Sequence, residues 1–238
     1  MSDATPQIIP IGGGGFYRDP ENLALERYIL AQTGVAEPRV IFVPTASGEP
    51  DHYVASFYAA FLKLHCRPSV LSFFKRTPDL RSLLLKQDVI YVGGGNTKSM
   101  IALWRDWGVP ELLREAWQSG IILTGVSAGA ICWFEQGLTD SFSDGLRPLG
   151  CLGFIPGSCC PHYDGEPERR PSYHRFLASG EIPAGVAIED WAGIHYKGTE
   201  IHQVIGAKSG ARAYSMRSVY GSVQEVPLPV EYLTQASE

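Results

Sequence analysis

Positive charge is sparse and scattered in this sequence, with 20 Lys and Arg against 25 Asp and Glu in 238 residues. The densest basic spot is the pair Arg169–Arg170, and the net charge is −5. Nucleic acid and anionic membranes need a concentrated basic surface, so neither is expected as a partner. No apolar run approaches the roughly 18 residues of a membrane-spanning helix. The opening MSDATPQIIPIGGGG has neither a basic stretch nor an apolar one, so no secretory leader is expected. Cysteine is scarce and unpatterned. Cys66, Cys132, Cys151, Cys159 and Cys160 form an odd set without CxxC spacing, which reads as reduced thiols in a cytoplasmic protein. The six histidines, His52, His65, His162, His174, His195 and His202, include no i, i+4 pair. A metal mechanism therefore has no foothold, and no cofactor is called for.

What is present is a globular composition, 45% hydrophobic and 19% charged, at a length that one core supports. Short β-branched runs alternate with amphipathic segments, the pattern of a mostly parallel sheet flanked by helices on both faces. The expected strands are 8–11, 40–43, 69–73, 89–92 and 121–124; the expected helices are 22–32, 53–64, 97–107 and 110–118. Closely spaced strand candidates at 186–188, 193–196, 201–205 and 212–216 suggest antiparallel additions to one edge of that sheet, within a single domain spanning 1–238. Residues 141–150 read as a loop.

The sharpest local signal is Gly125-Val126-Ser127-Ala128-Gly129, which follows an apolar strand and opens a helix-compatible stretch, 128–134. This is the strand–turn–helix setting of a nucleophile elbow, where small neighbours let strand and helix approach a strained serine. The Ala128 N–H then lies where an oxyanion would form. A second buried strand ends in Gly93-Gly94-Gly95-Asn96-Thr97. Lys98 occupies the final glycine position of a dinucleotide fingerprint and no Gly-Lys-Ser/Thr follows, so Gly94 or Gly95 is better read as the second oxyanion donor. The run Gly12–Gly15 lacks both continuations as well.

A serine needs a base, and histidine suits neutral pH. His162 follows Pro161 and precedes the loop Tyr163-Asp164-Gly165-Glu166, a position at the lip of the sheet. For the orienting acid, Glu189 and Asp190 end a short strand, while Asp140, Asp144 and Asp164 compete from loops.

Taken together, these motifs, with Ala187-Ile188-Glu189-Asp190-Trp191-Ala192-Gly193-Ile194, resemble peptidase E, the α-aspartyl dipeptidase family, over most of the chain. The resemblance implies a class I glutamine amidotransferase-like fold and a serine exopeptidase that cleaves Asp-X dipeptides. It implies Ser127 as nucleophile, His162 as base and Asp190 as third member, with Glu189 as rival. An acidic substrate side chain calls for arginine, and Arg169 or Arg170 occupies the corresponding region, with Asn96 in the glycine loop as a further substrate contact. The implied partner is a small peptide; association as a homodimer is left open. The rival readings are a cyanophycinase-like exopeptidase of the same superfamily and a non-catalytic small-molecule-binding protein on the same fold.

Overall fold

The computed structural model describes residues 5–76 and 78–234. The first half of the chain runs β1 (Gln7–Ile11), α1 (Ala24–Ala31), β2 (Arg39–Val43), α2 (Asp51–Phe61), β3 (Arg67–Val70), α3 (Leu80–Leu84), β4 (Val89–Val92), α4 (Thr97–Asp106), α5 (Val109–Gln118), β5 (Ile122–Val126) and α6 (Ala128–Ile131). The second half runs β6 (Phe134–Phe142), β7 (Gly145–Gly150), β8 (Ile155–Cys160), α7 (Arg169–Ser179), β9 (Gly185–Ile188), β10 (Ala192–Lys197), β11 (Glu200–Gly206), β12 (Ala213–Val219), β13 (Ser222–Pro227) and β14 (Val230–Tyr232).

Eight strands form one sheet in the order β14-β11-β10-β1-β5-β4-β2-β3, with β1, β5, β4, β2 and β3 mutually parallel. Its central strands are apolar on both faces because successive side chains alternate between two cores. Ile41, Ile90 and Leu123 enter one core with Trp104 and Leu113 of the helices; Phe42, Tyr91 and Ile122 enter the other with Phe57 and Phe61. The rings of Phe42 and Phe57 stack with centroids 4.7 Å apart.

The expected edge additions are half right. β10 and β11 do extend the parallel sheet, β10 antiparallel to β1 and β11 antiparallel to β10. β9 and β12 instead join a second sheet of six strands, β13-β12-β9-β8-β6-β7, covered by Tyr173, Phe176 and Leu177 of α7. Only residues 189–191 separate β9 from β10, a spacing that mimics a hairpin. Trp191 at φ 67 turns the chain from one sheet to the other, and its N–H donates to Gly13 O at 2.9 Å. Two further expectations fail. Residues 141–150 are mostly hairpin, not loop, because β6 runs on to Phe142 and β7 begins at Gly145, where φ is 105. The helix after the elbow is one turn long, since the chain leaves it to bury Trp133 and Phe134 and start β6.

Candidate active site

The elbow is built by steric exclusion. Ser127 holds φ 58 and ψ −112 between β5 and α6, a conformation that costs a non-glycine residue free energy unless its surroundings enforce it. They do so through glycine. A Cβ on Gly125 would lie 2.5 Å from Val92 O, and one on Gly129 would lie 2.2 Å from the same atom, so only glycine lets β4, β5 and α6 converge. The Ser127 N–H is bound to Ile11 O at 3.1 Å, while its Oγ makes no hydrogen bond among the described residues. Gly94 lies against Ser127: a Cβ there would be 3.7 Å from Ser127 Oγ. The Gly94 N–H donates to the Tyr53 hydroxyl at 3.3 Å, and burial pushes that hydroxyl up to about 12.

His162 and Asp190 come from the other sheet. β8 ends one residue before Pro161, which stops the strand, and His162 follows at φ 50. Its Nδ1 lies 2.7 Å from Asp190 Oδ1. That hydrogen bond holds the Asp190 carboxyl below the usual carboxylate range despite partial burial, helped by the charges of His162, Arg18 and Arg169. An ionised carboxylate accepts, so Nδ1 carries a proton, and in the neutral form of the ring the lone pair is on Nε2. Asp164 Oδ1 accepts the Asp190 N–H at 2.8 Å and fixes the turn.

The run Gly12–Gly15 is the feature that motif matching passed over. It joins the sheets: Gly13 bridges to Asp190, and a Cβ on Gly13 would fall 1.9 Å from Asp190 Oδ1 and 2.5 Å from His162 Nδ1. Its signal in the sequence was four glycines after a buried strand, with no nucleotide motif to explain them.

Ser127 stands between two clefts. One, about 330 Å³, is lined by Ser127, His162, Gly94 and residues that sequence reasoning did not single out, among them Tyr17, Arg18 and Tyr53. The other, about 280 Å³, is lined by Ser127, Gly95, Asn96, Asp140, Glu166 and Arg169. Arg169 is buried there, its Nε donating to Glu166 Oε2 at 2.7 Å and its Nη1 to Leu138 O at 2.8 Å. Arg170 lines neither cleft; it donates to Glu225 at 2.8 Å and covers the Tyr163 ring. Asn96 uses its Oδ1 to cap α4, accepting the Ser99 N–H at 2.9 Å. Glu189 points away from His162 and accepts from the Tyr214 hydroxyl at 2.8 Å, because neighbours on an extended segment face opposite sides. Among the described residues no cluster of three metal-ligating side chains exists, and no helix is long and apolar enough to cross a membrane.

The sequence model of peptidase family S51 matches residues 8–204. The uncharacterized peptidase YgaJ of Bacillus subtilis (strain 168) is 49% identical over 228 residues, covering 95% of this chain and 99% of the relative. Among solved structures, a peptidase from an acI-B1 Actinobacterium superposes with TM-score 0.74 at 19% identity, over 95% of each chain. A protein from Listeria monocytogenes EGD-e assigned provisionally to peptidase E superposes with TM-score 0.60 at 22% identity, over 83% of this chain and 97% of that one. These two establish a shared α/β fold. With the family pattern running through most of its length and near-half identity to a full-length relative, this chain belongs to peptidase family S51, a family of serine peptidases.

Proposed function

We propose that this peptidase hydrolyses short peptides, Asp-X dipeptides foremost, through an acyl-enzyme on Ser127. The observation that carries the reading is the 2.7 Å bond between His162 Nδ1 and Asp190, with His162 and Ser127 in the walls of one cleft. His162 Nε2 takes the Ser127 proton as Oγ attacks the peptide carbonyl. The Ala128 N–H, with that of Gly94 or Gly95, stabilises the oxyanion; with α6 only four residues long, this is a local amide effect and not one of a long helix dipole. On collapse His162 gives the proton to the leaving amine, and water repeats the sequence to free the enzyme. Asp190 keeps the imidazole in the productive tautomer. Arg169, buried beside Ser127, supports an acidic side chain on the acyl half of the substrate.

The test compares an Asp-X dipeptide with a β-linked aspartyl-arginine dipeptide, for wild type and Ser127→Ala. Hydrolysis of the first is expected, with a loss of at least about 10³-fold in the variant. Near-normal turnover by Ser127→Ala would refute the assignment. Selective hydrolysis of the β-linked substrate would move the activity to the cyanophycinase kind. A fluorophosphonate that leaves Ser127 unlabelled, with no turnover of either substrate, would favour a binding protein.

A further inference from the structure

The direction of proton transfer fixes which cleft receives which half of the substrate. His162 must hand its proton to the leaving amine, so the leaving residue lies on the His162 side of Ser127. That side is the 330 Å³ cleft. Its walls are largely apolar, formed by Tyr17, Pro50, Tyr53 and Val126, with the two tyrosine rings 4.5 Å apart.

One cation, Arg18, lines this cleft, and no carboxylate does. Other arginines on the surface are occupied: Arg39 by Asp88, Arg81 by Glu115, Arg170 by Glu225. Among the described residues the Arg18 guanidinium has no ion pair and no hydrogen bond; only its backbone is tied down, by a 3.0 Å bond from Arg18 N to Gly15 O. That bond ties the Arg18 backbone to the glycine run whose Gly13 abuts His162 and Asp190, and its side chain lines the same cleft as His162. A free guanidinium beside an apolar wall suits a planar anion attached to an apolar group. A leaving amino acid presents that combination: its α-carboxylate is separated from the leaving nitrogen by a single carbon, and its side chain has the tyrosine wall to cover.

We propose that Arg18 binds the free α-carboxylate of the leaving residue, restricting the enzyme to substrates with one residue after the scissile bond and favouring apolar or aromatic leaving residues. The inference rests on the acyl-transfer reading above. It makes the site a bracket, with Arg169 on the acyl side of Ser127 and Arg18 on the leaving side.

The test measures kcat/KM for Asp-Leu and for its C-terminal amide, with wild type, Arg18→Lys and Arg18→Ala. Wild type should prefer the free acid by about 10–100-fold, the size of one charged hydrogen-bonded pair, mostly through KM. Arg18→Ala should bring the acid-to-amide ratio close to one, and Arg18→Lys should retain part of it. A general loss of catalysis lowers both substrates and leaves the ratio intact, so the ratio isolates carboxylate recognition. Wild type that cleaves both peptides equally, or a ratio unchanged in Arg18→Ala, overturns this inference and leaves the peptidase reading standing. Failure of wild type to cleave either peptide, together with an unlabelled Ser127, overturns both.

Discussion

The two sheets meet at the site but contribute different kinds of group. The eight-stranded sheet supplies backbone. Its strands end in Gly12–Gly15, Gly93–Gly95 and the Ser127 elbow, where main chains approach so closely that added Cβ atoms would overlap carbonyl oxygens. The six-stranded sheet supplies side chains. His162, Asp190 and Arg169 are each held by a 2.7 Å contact to another side chain. Ser127 is therefore positioned by packing, and His162 by hydrogen bonds and charge. Substitutions on the two sides should fail in different ways: on the first through the fold, on the second through the reaction.

The largest effect tests the second side. Asp190→Asn keeps the shape but can bond to His162 in the wrong tautomer, so kcat/KM for an Asp-X dipeptide should fall by about 10³–10⁴-fold while the protein stays folded. Glu189→Gln is the control one residue away: it faces Tyr214 and should keep activity near wild type. Equal losses from both variants would mean that neither carboxylate orients the imidazole by contact.

The same division explains what could be read from the sequence. β4, expected at Val89–Val92, has those bounds because a strand buried on both faces is a continuous apolar run with turns at its ends. β7 and β8 read GLRPLG and IPGSCC; glycine, proline and cysteine carry little strand preference, and the sheet partners decide their conformation. At the site, the chemical types and the elbow were legible because they are local. Which of two adjacent residues faces inward was not. Arg170 is drawn outward by Glu225, 55 positions away, and the paths of Glu189 and Asp190 depend on the turn at Trp191. The cleft residues Tyr17, Arg18 and Tyr53 come from elements distant from Ser127 in sequence, and only the assembled sheet brings them near it.

The next effect tests the first side. Gly129→Ala places a Cβ 2.2 Å from Val92 O and 2.7 Å from Val92 C, atoms of a central strand that cannot move alone. It should lower unfolding free energy by about 3 kcal/mol or more, seen as a fall in the urea midpoint, with activity lost as a consequence. Gly150→Ala on β7 meets nothing within 4 Å and should stay within about 0.5 kcal/mol of wild type. A mild Gly129→Ala would show that β4 and α6 can separate, and the steric account of the elbow would fail.

The smallest effect concerns a place where the packed side also depends on a proton. Glu26 is fully buried beneath the glycine run; its Oε1 accepts the Phe16 N–H at 2.8 Å, while its Oε2 and the Tyr91 hydroxyl have no hydrogen-bond partner among the described residues. Burial pushes its carboxyl from an ordinary 4.5 up to about 7, against the lowering effect of the Phe16 amide. Between those values the unfolded chain has lost the proton and the folded one still holds it, so the folded state binds more protons and stability falls as pH rises. Below 4.5 both states are protonated and above 7 both are ionised, so the slope is confined to that window. Glu26→Gln removes the titration and keeps an oxygen for the Phe16 N–H. Relative to this variant, wild type should lose on the order of 2–3 kcal/mol between pH 5 and pH 8 in urea unfolding. Parallel stability curves for the two proteins would mean that Glu26 is ionised in the fold throughout, and that the loop over the His162–Asp190 pair rests on a charge instead of a neutral acid.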